Sequence, residues 1–321
     1  MNYNPIIVVA GEPHSVFLEI FFKTIKKKKF IRPIILIASK KLLIEQMKKL
    51  GFYFKVNIIN ENNLIVKKLD NKNINLIDVN FNFKNSFDKI SDKSNPYISE
   101  CFDIALKLMK NIKCSGLING PISKKNFLKG KFLGITEYLA AKVGKKNKVV
   151  MLIYNKKLSV SPITTHLPLK VVHKHLSKKK IILHAKLITQ FYLKEFKKYP
   201  KIAITGLNPH CESNYKASEE NRIIIPAIKH LIKKKYKING PFAADTIFMS
   251  EQSNKYDVII GMYHDQVLTP AKTLFSFDAI NITLGLPFVR ISPDHGPNSS
   301  MLGINLSSPN SLIQAIKFLD N

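Results

Sequence analysis

Three of the nine histidines, His166, His210 and His264, stand just after segments where an apolar stretch stops at a polar, Pro- or Gly-containing turn. The turns read Thr165-His166-Leu167-Pro168, Gly206-Leu207-Asn208-Pro209-His210 and Tyr263-His264-Asp265-Gln266. Ligands in open α/β sheets gather at the carboxyl ends of the strands. A sheet that set these ends side by side would therefore bring three imidazoles to one rim. Three neutral imidazoles suit a divalent cation with an open position. Such an ion would bind a substrate hydroxyl, lower its pKa, and stabilise the alkoxide and then the carbonyl formed as hydride leaves. That chemistry is alcohol oxidation. The competing reading, three ordinary loop histidines bonded to nearby backbone, stays open, because no short-range ligand pair such as HExxH is present. His173, His175, His184 and His230 lie on Lys-rich helical stretches and are given no role.

A second set of residues suits an anion. Arginine occurs only at Arg32, Arg222 and Arg290, and Arg290 lies among apolar neighbours beside Ile291 and near Pro287. Its planar fork is the better bidentate holder of phosphate or carboxylate. Lys272, after Pro270-Ala271, and Asn281, within an apolar run, are candidates beside it. Asp245 and Asp265 accompany the histidine blocks. Either could orient an imidazole from behind, and capping of a loop accounts for them equally well. The GxGxxG fingerprint is missing, so a dinucleotide must be held by something other than the Rossmann turn.

The elements that position these residues follow from the hydrophobic pattern. Short apolar runs at Ile6 to Ala10, Ile34 to Ala38, Gly116 to Ile118, Lys148 to Tyr154, Ile202 to Thr205, Val258 to Gly261 and Ile280 to Leu284 predict buried strands. Helical periodicity covers Ser99 to Met109, Ile181 to Phe196 and Ser218 to Lys234, and Ser311 to Leu319 closes the chain with Ser311 as its N-cap. Alternating strands and helices predict an α/β architecture. The Asn- and Lys-rich stretch 60–95 reads as an irregular excursion or edge-strand region. No repeat or low-complexity linker marks a boundary. Two consecutive domains and a central domain inserted between the chain ends both stay open; the division taken is an α/β domain carrying both termini, 1–128 plus 270–321, and a central α/β domain, 129–269, with the metal-ligand loops and dimer contacts.

Bulk composition bounds the partners. A chain of 321 residues that is 45% hydrophobic can bury a real core. The formal charge of +29 comes mostly from lysine spread through the sequence, as at Lys26 to Lys29, Lys178 to Lys180 and Lys233 to Lys235. With little Arg and no Trp, this reads as solvated surface rather than a nucleic-acid face. Cys101, Cys114 and Cys211 have no metal-ligand spacing and leave an odd thiol, which predicts a reducing, cytoplasmic setting. No segment reads as a signal peptide or reaches membrane-spanning length.

The blocks NGPISK, ITEYLA, THLPL, GLNPH, GPFAADTIF, YHDQVLTPAKTL and NITLGLPFVRISPDHG follow in order from Asn119 to Gly296, and VVAGEP opens the chain. Together they resemble the 4-hydroxythreonine-4-phosphate dehydrogenases of pyridoxal phosphate biosynthesis. The resemblance implies two α/β domains with a central cleft, like isocitrate and isopropylmalate dehydrogenases, in a homodimer whose active sites use both subunits. It implies His166, His210 and His264 as ligands of one divalent ion, Zn, Mg or Co. It implies Thr136, Lys272, Asn281 and Arg290 as holders of a small phosphorylated amino-acid substrate, with Lys272, Asp245 and Asp265 as the catalytic set. The implied reaction oxidises the secondary hydroxyl with NAD or NADP, and the resulting β-keto acid loses carbon dioxide.

This chain departs from the family pattern at three places. The family's Gly-His-Thr-Glu is Gly134-Ile135-Thr136-Glu137 here, so an apolar side chain replaces an imidazole. The family's Gly-Glu-Pro-Ala-Gly-Ile-Gly-Pro-Glu becomes Gly11 to Glu19 with Ser15 and Phe17 in place of two glycines. After Asp294-His295-Gly296, Pro297-Asn298 replace Thr-Ala, and Leu302-Gly303-Ile304-Asn305 replaces Ala-Gly-Thr-Gly. Loss of one charge-assisted phosphate contact costs roughly 1.5 to 3 kcal/mol, so retained metal binding with weakened or altered turnover is expected.

Overall fold

A computed structural model describes residues 3–132, 134–211, 215–275, 279–293 and 295–320. The chain divides into two compact units, Met1–Leu139 with Pro287–Asn321, and Ala140–Leu286. Both divisions fall later in the sequence than 128 and 269. The first lies inside the helix Ile135–Lys142, where no change of composition could reveal it.

The described strands are, in chain order, β1 Ile6–Val9, β2 Ile34–Ala38, β3 Val56–Ile58, β4 Ile74–Asp78, β5 Gly116–Asn119, β6 Val150–Tyr154, β7 Ser159–Thr164, β8 Ile202–Thr205, β9 Ile238–Phe242, β10 Val258–Tyr263, β11 Ile280–Leu284 and β12 Arg290–Ser292. In the unit carrying both termini the order is β3-β4-β2-β1-β5-β12, and the five pairings are parallel. All four residues of β1 are fully buried. Such apolar runs must be covered on both faces, and each fully buried Ile or Val side chain contributes about 1.5–3 kcal/mol.

In the unit 140–286 the order is β11-β6-β7-β10-β8-β9. Here β11 and β7 pair antiparallel with β6, while β7, β10, β8 and β9 run parallel. Helix Lys178–Phe196 packs against β6, β7 and β11 in this unit. Its start is fixed by Ser177, whose side chain accepts from the Lys180 amide.

Several elements differ from the sequence reading. Within 60–95 a fully paired strand, β4, is present, because its buried Asn75 donates to the carbonyls of Ile34 and Asp70 and so sits in the sheet without loss. Strand β7, Ser-Val-Ser-Pro-Ile-Thr, is buried along its whole length although four of its six residues are polar or proline. Ser161 donates to the Met151 carbonyl and meets His184 Nδ1 at 3.0 Å, and His184 is a buried core residue. Burial pushes the His184 imidazole down to about 3, so it stays neutral. The last helix runs Asn310–Asp320, so Ser311 is a buried residue inside it rather than its N-cap. Helices Phe17–Lys27, Lys40–Lys49, Ile135–Lys142 and His264–Phe275 were not evident from periodicity. The helix predicted over Ser218 to Lys234 is shorter, Ile225–Lys233, preceded by a wide turn at Glu220–Ile224. Among the described residues no helix is long and apolar enough to cross a membrane.

Candidate active site

Strands β7, β10 and β8 are consecutive parallel neighbours, registered through Thr164 with Tyr263 and Ile204 with Ile260. Their carboxyl ends therefore form one rim, with about 4.8 Å between adjacent strands. His166 follows β7, His264 follows β10 and opens the helix His264–Phe275, and His210 follows β8. The rings of His166 and His264 face each other with centroids 5.8 Å apart. His264 Nδ1 lies 2.6 Å from Asp265 Oδ1, which fixes that edge of the ring.

His210 sits in a tight turn, Pro209–Cys211, at φ 58°, and Cys211 shares this left-handed conformation at φ 55°. The turn folds back so closely that a Cβ on Gly206 would stand 2.5 Å from Cys211 Sγ. Glu220 holds its base, accepting from the amides of Leu207 (2.7 Å) and Asn208 (2.9 Å) and from Asn208 Nδ2 (2.8 Å). Desolvation acts to raise the Glu220 pKa, but the bonds from Asn208 and Leu207 outweigh it and hold the carboxyl below its usual range.

The pair His166 and His264 suits a divalent cation as a set of imidazole nitrogen donors on one rim, one of them braced by a carboxylate. The full trio is not drawn into one group. Among the described residues no three or more His, Cys, Asp or Glu side chains lie close enough together to hold an ion. His210 stands on the adjacent strand end, in its own turn. Asp245 is exposed and lies near enough to the Cys211 thiol for its charge to be felt there, beside the burial that chiefly raises that thiol.

In the unit 1–139 with 287–321, Arg290 starts β12 and is completely buried. Its Nε donates to Asn119 Oδ1 at 2.7 Å, and a terminal nitrogen donates to Thr136 Oγ1 at 3.2 Å. Asn119 is placed by the end of β5, the parallel neighbour of β12. Thr136 lies in the first turn of the helix Ile135–Lys142. Burial pushes the guanidinium down to about 10, with Glu137 acting in the opposite sense, so it stays charged at neutral pH. Glu137 Oε2 is itself buried without a hydrogen-bond partner. A cation, a hydroxyl and a helix N-terminus thus lie together, an arrangement that favours an oxyanion.

Lys272 and Asn281 belong to the unit 140–286. Lys272 is exposed on the helix His264–Phe275, and Asn281 is half-buried in β11 with its Oδ1 buried and unpartnered. Asp294 of the Asp-His-Gly block lies outside the described residues. Sequence reasoning assigned no role to Asn119, Glu137, Glu220 or Gln266. Their only signal was that all but Glu220 fall in or beside the blocks that carry the family resemblance.

The model of the family described as "Pyridoxal phosphate biosynthetic protein PdxA" matches residues 29–319. The chain is 38% identical over 316 residues to a 4-hydroxythreonine-4-phosphate dehydrogenase of Sulfurihydrogenibium sp., covering 97% of this chain and 95% of that one. It is 32% identical over 321 residues to the Aquifex aeolicus protein of the same name, covering 98% and 97%. Among solved structures, the 4-hydroxythreonine-4-phosphate dehydrogenase of Klebsiella pneumoniae superposes with a TM-score of 0.85 at 26% identity, covering 98% of each chain. A match running through nearly the whole chain shows that this protein belongs to the family of the pyridoxal phosphate biosynthetic protein PdxA.

Proposed function

We propose that the chain oxidises the secondary hydroxyl of 4-hydroxythreonine-4-phosphate with NAD or NADP, giving a 2-amino-3-oxo acid that loses carbon dioxide to leave 3-amino-2-oxopropyl phosphate. The observation that carries this reading is the facing pair His166 and His264 on neighbouring strand ends, in a chain whose full-length relatives bear the name of that dehydrogenase. His166 and His264, with His210 from the adjacent strand end, would hold a divalent ion such as Zn, Mg or Co, which would supply a Lewis acid for the reacting hydroxyl. Asp265 keeps the His264 ring in one orientation through its bond to Nδ1. Arg290, itself held by Asn119 and steadied by Thr136, receives the substrate's phosphate, and its fixed fork selects an oxyanion over a neutral group. Asn281 and Lys272 contribute to holding the substrate, Lys272 takes the hydroxyl proton, and Asp245 assists from the loop beside His210. NAD or NADP, when bound, would supply the hydride acceptor.

The exposed apolar side chains Leu169, Tyr215 and Met249 support a homodimer, and the free Cys101, Cys114 and Cys211 support a cytoplasmic setting. One observation favours a second reading: Ile135 places an apolar side chain beside Thr136, which suits a hydroxy acid that carries less charge there. A panel of hydroxy acids with and without the phosphate, assayed for reduced nicotinamide, separates the two. Turnover of 4-hydroxythreonine-4-phosphate supports the first; turnover of an unphosphorylated hydroxy acid in its place supports the second; reduction with neither refutes both.

A further inference from the structure

Gln266 is buried one turn into the helix His264–Phe275, and its amide reaches both strand ends that carry the site. Oε1 accepts from the Met262 amide at 2.7 Å and from Thr205 Oγ1 at 2.9 Å, and Nε2 donates to the Gly206 carbonyl at 2.9 Å. Met262 is in β10, just before His264; Thr205 and Gly206 end β8 and begin the turn to His210. The orientation of the amide is not arbitrary. A backbone N–H can only donate and a carbonyl can only accept, so oxygen must face Met262 and nitrogen must face Gly206.

The backbone has been shaped to admit this side chain. A Cβ on Gly261 would stand 3.0 Å from Gln266 Oε1 and 2.3 Å from Val267 Cγ1. Only glycine at that point of β10 lets the helix start so close to the strand. The register of the parallel β8/β10 ladder ends at Ile204 with Ile260. Gln266 joins the two strands beyond that point, where the ladder stops.

We propose that Gln266 is a positioning residue for the cation site: it ties the root of the His210 turn to the root of His264, and so sets the separation between those imidazoles. This rests on the reading that His166, His210 and His264 bind a divalent ion. Three bonds from one buried amide to two strand ends form a rigid link, because breaking any of them leaves a buried polar group unsatisfied.

Cobalt serves as the probe, since its visible absorption reports ligand geometry without any turnover. Wild-type protein, Gln266→Met and Thr205→Val are titrated with Co²⁺, and folding is followed by circular dichroism and melting. Gln266→Met keeps the length of the side chain and removes all three bonds; Thr205→Val removes one. The expected result is a Co²⁺ affinity lowered by about tenfold in Gln266→Met, with a changed absorption spectrum, and a smaller change of the same kind in Thr205→Val. Should Gln266→Met fail to fold, Thr205→Val carries the test alone. Wild-type affinity and an unchanged spectrum in the folded variants would overturn the proposal. If wild-type protein binds no Co²⁺ at all, the cation site itself is refuted, a failure separate from that of Gln266.

Discussion

Glu12 offers a quantitative test of how the unit carrying both termini is built. The residue follows Gly11 in the turn after β1, where Gly11 has φ 78° and the Glu12 amide donates to the Pro121 carbonyl at 2.8 Å. The side chain is 1% exposed. One oxygen accepts a long bond from Ser94 Oγ at 3.4 Å, and the geometry gives the other, Oε1, no well-formed hydrogen bond. Burial pushes the carboxyl from its ordinary 4.5 up to about 7, against smaller opposing effects of Ser94 and the His14 backbone. A raised native pKa means that the folded chain holds this proton more tightly than the unfolded one. The stabilisation is complete below pH 4.5 and disappears as pH rises through 7. The span from 4.5 to about 7 corresponds to on the order of 3 kcal/mol by linkage. Glu12→Gln keeps a neutral side chain at every pH, so the variant should match wild type near pH 4.5 and exceed it by about 3 kcal/mol near pH 8.5. Urea unfolding at a series of pH values measures the difference, which for a slope near 3 kcal/mol/M is a midpoint shift of about 1 M. Parallel curves for the two proteins from pH 4.5 to 8.5 would refute the reasoning, because they would show that the carboxyl is as well solvated or paired in the folded state as out of it.

Other expectations follow from the anion site. Arg290→Lys keeps the charge but loses the fork that meets Asn119 and Thr136, so KM for the phosphorylated substrate should rise by roughly ten- to a hundredfold with kcat less affected, as steady-state kinetics would show. Ile135→His places a donor at the start of the helix Ile135–Lys142, beside Thr136, and should lower that KM by about tenfold; a KM unchanged or raised in the same kinetics would show that this position does not face the phosphate.

The strands beneath the candidate site were legible in the sequence because they are short, apolar and abruptly ended. Ile202 to Thr205 and Val258 to Gly261 announce where β8 and β10 stop, and hence that His210 and His264 leave the sheet at its carboxyl rim. That β10 lies between β7 and β8 is a matter of chain crossover, which no local pattern carries. Strand β7 escaped a hydrophobicity reading because Ser159 and Ser161 are polar; their hydroxyls are satisfied by Tyr192, the Met151 carbonyl and His184, residues distant in sequence. The helix His264–Phe275 was hidden by Pro270 in its interior, and with it the placement of Lys272 on a helix. Arg290 was singled out by its rarity and apolar neighbours, and its complete burial agrees with them. The partners Asn119 and Thr136 that hold it come from other parts of the chain and exist only once β5 and β12 pair. Gln266 and Glu220 are invisible for the same reason: each acts through several bonds to backbone that folding alone brings within reach.

The claim on which the functional account turns is an imidazole-held divalent cation. Metal analysis of purified wild-type protein and of His264→Ala, after dialysis against Co²⁺ and removal of the free ion, tests it most directly. The account predicts about one ion per chain in wild type and little or none in the variant, with nicotinamide reduction lost on chelation and restored on re-addition. Wild-type protein that retains no ion, yet reduces nicotinamide undiminished in the presence of chelator, would contradict it.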